Sequence, residues 1–193
     1  MAKHDIVRNY IGMTAQKKIE FIYKNYKDLD YLKESYRDFA VETIAFLKQQ
    51  ENSCDDDLGV RVQTSFNAGS ITERMAFENI MIKEMLDKNY VPNEFMDKEE
   101  NQEYVNLMVF EWNIMRSEFS LFEKHLKTLS QTNFLIARAY LSREKGFEEL
   151  AREYCVEPNS VKMRMYRIKK ILTEKMVPFF AEYGFNRQLN GVG

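Results

Sequence analysis

FEELAREYCVEPNSVKMRMYRIKKILTEKM fills residues 147–176, and the fold turns on how it is read. Phe147, Leu150 and Ala151 fall on one side of a short helix that ends near Tyr154, and Cys-Val-Glu-Pro then turns the chain. Pro158 suits the first position of the next helix, where its missing N–H would be unpaired anyway. Val161, Met165, Ile168, Leu172 and Met176 then recur at helical spacing and predict a buried stripe on a helix from Pro158 to about Met176. Two helices joined by so short a turn make a helix-turn-helix. Ala151 is small where the helices approach most closely, Val156 is expected to plug the turn, and Val161 is expected to anchor the second helix on the first.

With that stripe inward, the second helix turns Asn159, Ser160, Lys162, Met163, Arg164, Tyr166, Arg167, Lys169 and Lys170 toward solvent. Amide and guanidinium groups can hydrogen-bond base edges or phosphates, so these nine are the candidate DNA-binding residues. Lys162 and Arg167 are placed to read bases, and Lys169 and Lys170 lie further along, where phosphates would be. The charge distribution agrees. Residues 131–193 hold 11 Lys/Arg against 7 Asp/Glu, a balance of +4 within a chain whose net charge is -2. The other 130 residues therefore carry -6, with 17 basic and 23 acidic side chains. A solvated basic helix face is the plainer reading of such a run, and a phosphate-binding face is the functional one.

Upstream, apolar residues at Ile19, Ile22, Tyr26, Leu29, Leu32, Tyr36, Ala40, Ile44 and Leu47 predict one uninterrupted helix from about Thr14 to Gln50. It would span roughly 50 Å. Its stripe, with Tyr26, Tyr36 and Phe46 expected to be buried, could pair two chains as a homodimer or pack within one. Residues 50–70 read as a loop, with a short alternating stretch, GVRVQTS, that could lie extended. Ser70 and Glu73 form a capping box for a third segment whose apolar face is Ile71, Met75, Phe77, Ile80, Met81, Met85 and Leu86, and Pro92 is its stop signal. A further helix over about 97–127 carries Tyr104, Leu107, Met108, Phe110, Trp112, Met115, Phe119, Phe122 and Leu126. Tyr104, Trp112 and Phe119 could face a ligand, but aromatics at helical spacing usually belong to a core. Another helix, Leu129 to Leu141, is broken by SREKG.

The expected fold is all-α: a helical assembly domain over 1–127 and a helix-turn-helix domain over 128–193. With 7 Gly and 3 Pro among 193 residues, a many-turned β-sandwich is disfavoured. Cys54 and Cys155 stand far apart, His4 and His125 are isolated, and no metal-ligand spacing occurs, so neither a metal nor a disulfide framework is expected. Asp55, Asp56 and Asp57 fit a solvated loop better than a cation site. Phosphate-loop, nucleophile-elbow and HExxH motifs are absent, so no enzyme and no cofactor is expected. No stretch approaches the roughly 18 apolar residues of a membrane span, which suggests a cytoplasmic protein. Glu148, Glu149 and Glu153 read as solvated acids or as a polymerase contact.

Residues 147–172 resemble the promoter-reading C-terminal helix-turn-helix of bacterial sigma factors, their region four. Ala151, Ser160-Val161 and the basic end from Arg167 to Leu172 match that pattern, while Cys155 stands where the family commonly has Gly. The order of elements, including the VQTS segment at Val62 to Ser65, is similar to phage and mobile-element regulators of the ArpU and RinA type. That resemblance implies a transcriptional regulator, an activator of such genes, without enzymatic activity. Double-stranded DNA is then the expected partner, with RNA polymerase and a second copy of the chain as further candidates. The alternatives are a sigma-like factor acting with RNA polymerase, a phage terminase small subunit, and an adaptor whose basic helix binds an acidic protein. A complete sigma factor fits less well, because the N-terminal part is acidic and has no recognisable basic-aromatic helix for melting a promoter.

Overall fold

A computed structural model describes residues 9–54 and 71–189, with side chains described over 9–51 and 75–180. Among the described residues every regular element is a helix and the fold is all-α: α1 (Ala15–Asn25), a 3-10 turn (Tyr26–Asp28), α2 (Leu29–Cys54), α3 (Ile71–Lys88), α4 (Glu99–Lys127), α5 (Gln131–Leu141), α6 (Phe147–Glu153) and α7 (Pro158–Leu189).

The single helix expected over 14–50 is two helices. Asn25 leaves helical geometry at φ -107°, ψ 16°, and its Nδ2 donates to the Phe21 carbonyl at 2.8 Å. A side chain that occupies a carbonyl of the preceding turn competes with the backbone ladder, and the helix tightens into one 3-10 turn. The apolar stripe survives the interruption, with Ile19, Ile22, Leu29, Tyr36, Ala40 and Ile44 all buried. Tyr26, Leu32 and Leu47 of the same stripe are half-buried. Phe46 departs from expectation and stands 57% exposed.

Three helices end in the same way. Beyond α3, α5 and α6 the chain turns through a left-handed residue, Asn89 (φ 53°), Arg143 (φ 58°) and Cys155 (φ 51°). In each case the next N–H reaches back five residues, from Tyr90 to Met85, from Glu144 to Ala139 and from Val156 to Ala151. These are Schellman caps built without glycine. The third helix therefore ends at Lys88, ahead of Pro92, while α5 ends at Leu141 as expected. The last helix runs past the expected Met176 to Leu189, and Pro178 lies inside it at the loss of one ladder donor. The Ser70 cap and the VQTS segment lie outside the described residues.

The chain forms two compact units, and their limits do not follow the expected boundary after residue 127. One contains Lys33–Asn113, and the other combines Asp5–Leu32 with Ile114–Gly193. In the first, Tyr36, Val41 and Ile44 of α2, Ile82, Met85 and Leu86 of α3, and Val105, Met108 and Trp112 of α4 are buried. Tyr36 stacks on Trp112 at 6.5 Å and donates its hydroxyl to Glu111 at 2.9 Å. Glu51 accepts from the Asp97 and Lys98 amides at 2.9 and 3.0 Å and from Asn101 at 2.7 Å, capping the entry to α4.

The face expected on α3 is only half buried. Met75, Phe77, Ile80 and Met81 are exposed, while Met85 and Leu86 are buried together with Ile82, which the sequence reading passed over. At 3.6 residues per turn, 82, 85 and 86 share one side, and 77, 80 and 81 fall on the other. Leu107 and Phe110 of α4 are also exposed. Trp112 and Phe119 are core residues at 4% and 2% exposure, and Tyr104 is half-buried.

The second unit is organised around α7, which packs against α1, α5 and α6. Its core includes Phe122 and Leu126 of α4 and Ile136, Ala137 and Leu141 of α5. Beside the core lies a buried ionic cluster. Glu118 accepts from Lys18 Nζ at 2.8 Å and from the Tyr10 hydroxyl at 2.7 Å, and the Lys18 ammonium stands 5.3 Å from the centre of the Tyr10 ring.

Candidate nucleic-acid interface

The two helices α6 and α7 and the short turn between them form where they were expected, and their geometry follows from three local features. Leu150 and Ala151 of α6 are buried at 1% and 3% exposure. Glu149 Oε2 accepts from the Gly146 amide at 2.7 Å and ties down the start of α6 from one side, since glycine has no side chain to return the bond. After Tyr154 the chain reverses at Cys155, whose N–H donates to the Arg152 carbonyl while that of Val156 donates to Ala151. A left-handed backbone at a residue with a Cβ costs about 1 kcal/mol, and the sharp turn that delivers Pro158 into α7 depends on it.

On α7, Val161, Met165, Ile168, Leu172 and Met176 are all 3% exposed or less, joined by Phe180 one turn further on. That stripe fixes the helix rotation, and so decides what faces outward. Asn159, Ser160, Lys162, Met163, Tyr166, Arg167 and Lys170 are exposed, and Arg164 is half-buried at the edge of the same face. Tyr166 is the most open of the large apolar residues here at 64% exposure. Asn159, Ser160, Met163, Arg164 and Arg167, together with Val156 from the turn, line a surface groove of about 330 Å³. The first turn of α7 carries no acidic residue. The groove thus presents an amide, a hydroxyl and two guanidinium forks, all able to donate to acceptors of a planar or anionic ligand.

Lys169 is placed differently from its expected neighbour Lys170. Its Nζ lies 3.5 Å from Glu20 Oε1 and 5.6 Å from the centre of the Tyr23 ring, both on α1. Burial, followed by the negative charge that Tyr140 would carry, pushes the Tyr23 hydroxyl up, so this ring stays neutral beneath the ammonium. Lys169 therefore leans back on the helix behind α7. Lys170 stays on the outer side, 3.8 Å from Glu174 one turn along.

Val156 is the other departure. It does not plug the turn, being 41% exposed on the groove wall. Its N–H serves the helix cap while its side chain turns outward, and the closing contact is left to Leu150, Ala151 and Val161. The sequence offered no sign of this, because the left-handed state of Cys155 sets where the following side chain points. Of the three acids on α6, Glu149 holds Gly146 and Glu153 pairs with Lys145 at 2.8 Å, while Glu148 is exposed.

Among the described residues no group of His, Cys, Asp or Glu is arranged to hold a metal ion, and Asp55, Asp56 and Asp57 fall outside them. Cys155 is a free, exposed thiol. His125 stands 6.0 Å from the Phe179 ring, its pKa held below the usual imidazole value by burial and by Lys175. No described helix is long and apolar enough to cross a membrane. Comparison of the chain with models of known families, with curated protein sequences and with solved structures finds no match.

Proposed function

We propose that this chain binds double-stranded DNA through the N-terminal half of α7 and regulates transcription. The observation that carries the reading is the division of that helix. One side is closed into the core by Val161, Met165, Ile168 and Leu172, and the other exposes Asn159, Lys162, Met163, Tyr166, Arg167 and Lys170. An α-helix fits the major groove, where amides and guanidinium forks discriminate bases and ammonium groups neutralise phosphates. The balance of +4 over residues 131–193 supplies the attraction. The regulatory role, as an activator of phage or mobile-element genes, rests on the resemblance of residues 147–172 to sigma region four.

The test is binding of the full chain to duplexes selected from a random library, measured against salt. Phosphate contacts must make affinity fall as salt rises. Arg167→Ala and Lys162→Ala each weaken the selected site by roughly 1–3 kcal/mol if they read bases, whereas Lys170→Ala weakens all sequences alike. Salt-independent binding, or unchanged affinity in both Arg167→Ala and Lys162→Ala, would sink the assignment. Binding that appears only when RNA polymerase is added would favour the sigma-like alternative.

A further inference from the structure

Two apolar side chains interrupt the polar face just described, Met163 at 46% exposure and Val156 at 41%, and both line the same groove as Asn159, Arg164 and Arg167. They reach it from separate elements, Met163 from α7 and Val156 from the turn before it. Neither contributes to the core, and the left-handed backbone at Cys155 is what directs Val156 outward. An exposed methionine and valine inside a ring of hydrogen-bond donors gain nothing from water. They gain from a small apolar group carried on an otherwise polar, anionic ligand. In the DNA major groove the 5-methyl of thymine is such a group, set beside acceptors that amides and guanidinium forks can engage.

We propose that Val156 and Met163 form a contact for a thymine 5-methyl group, making them specificity-determining residues of this interface. The inference rests on the DNA reading above and adds the base that the apolar part of the groove selects. The flexible thioether of Met163 can follow the methyl as the duplex seats, while Val156, stiff at χ1, forms the fixed wall. Arg164 and Arg167 lie along the same groove and hold the neighbouring acceptors.

The experiment replaces each thymine of the selected duplex, one at a time, by uracil, which pairs identically but lacks the methyl. Losing one buried methyl contact lowers affinity about three- to fivefold, and this is expected at one or two positions near the centre of the site, with no effect at the others. In the double variant Val156→Ala, Met163→Ala, thymine and uracil duplexes bind equally at those positions. Both side chains are exposed, so the variant retains its fold, which its thermal unfolding checks. If no thymine is sensitive, or if the double variant still discriminates, the proposal falls while DNA binding stands. If the native chain binds no duplex at low salt, both fall together.

Discussion

Glu118 and Glu51 are buried in different compact units and are held by opposite means. In the unit containing α7, Glu118 is fully buried against the Lys18 ammonium and the Tyr10 hydroxyl. Burial dominates and pushes its carboxyl above the usual value of 4.5, with Lys18 and the hydrogen bonds pulling partly back. In the unit containing α3, burial would also raise Glu51, yet the amide of Asp97, the side chain of Asn101, the amide of Lys98 and the charge of Lys48 together hold it below 4.5. A carboxylate served by the open end of a helix is solvated by the backbone itself, whereas one that meets a single ammonium in an apolar core is not. The outer surfaces differ as well. Around α7 the exposed side of the helix is mostly polar and basic, while α3 exposes Phe77 and Ile80 opposite its buried side.

The largest effect expected on this contrast is from Glu118→Ala, which leaves Lys18 buried without its partner and costs about 3–5 kcal/mol, read by urea unfolding. Replacing both at once, Lys18→Met with Glu118→Leu, should restore much of that loss. A double variant as unstable as the single one would show that the pairing is not what matters. Glu51→Ala comes next, at about 1–3 kcal/mol for buried amides left without an acceptor. The two glutamates also bend stability in opposite directions with pH. Glu51, depressed, contributes stability that is present above 4.5 and lost as pH falls through its folded value. Glu118, raised, contributes stability that is present below 4.5 and lost as pH rises through its folded value. Glu51→Gln should therefore flatten the acid limb, and Glu118→Gln the limb above it. If each substitution flattened the other limb, the assignments would be reversed. The smallest effect belongs to the exposed side of α3, where Phe77→Ser should change stability by less than about 0.5 kcal/mol. A larger loss would mean that Phe77 is covered.

Fold class was legible because helical periodicity is local. The stripe Val161, Met165, Ile168, Leu172 and Met176 could be written down from spacing alone and is buried to the last residue, and Pro158 does open its helix. Helix ends were less legible. The ends near Leu141 and Tyr154 were read in place and Pro92 was taken as the stop of α3, but the left-handed backbone of Asn89, Arg143 and Cys155 that closes these helices was not foreseen. Only Cys155 carried a hint, standing where the sigma-like pattern commonly has glycine.

Periodicity says which residues share a side of a helix, and it was enough to set the rotation of α7 and hence which of its residues are exposed, Arg164 and Lys169 apart. It does not say which neighbour covers that side or where a turn aims the next residue. Tertiary packing alone decided that Lys169 leans on Glu20 and Tyr23, that Val156 opens into the groove and that α3 buries Ile82 instead of Phe77. It also placed α1 with α7 in a single unit, more than a hundred residues apart in the chain. Spacing along one helix is a property of the sequence, but a contact between helices far apart in the chain depends on the shape of both surfaces, and exists only once they have packed.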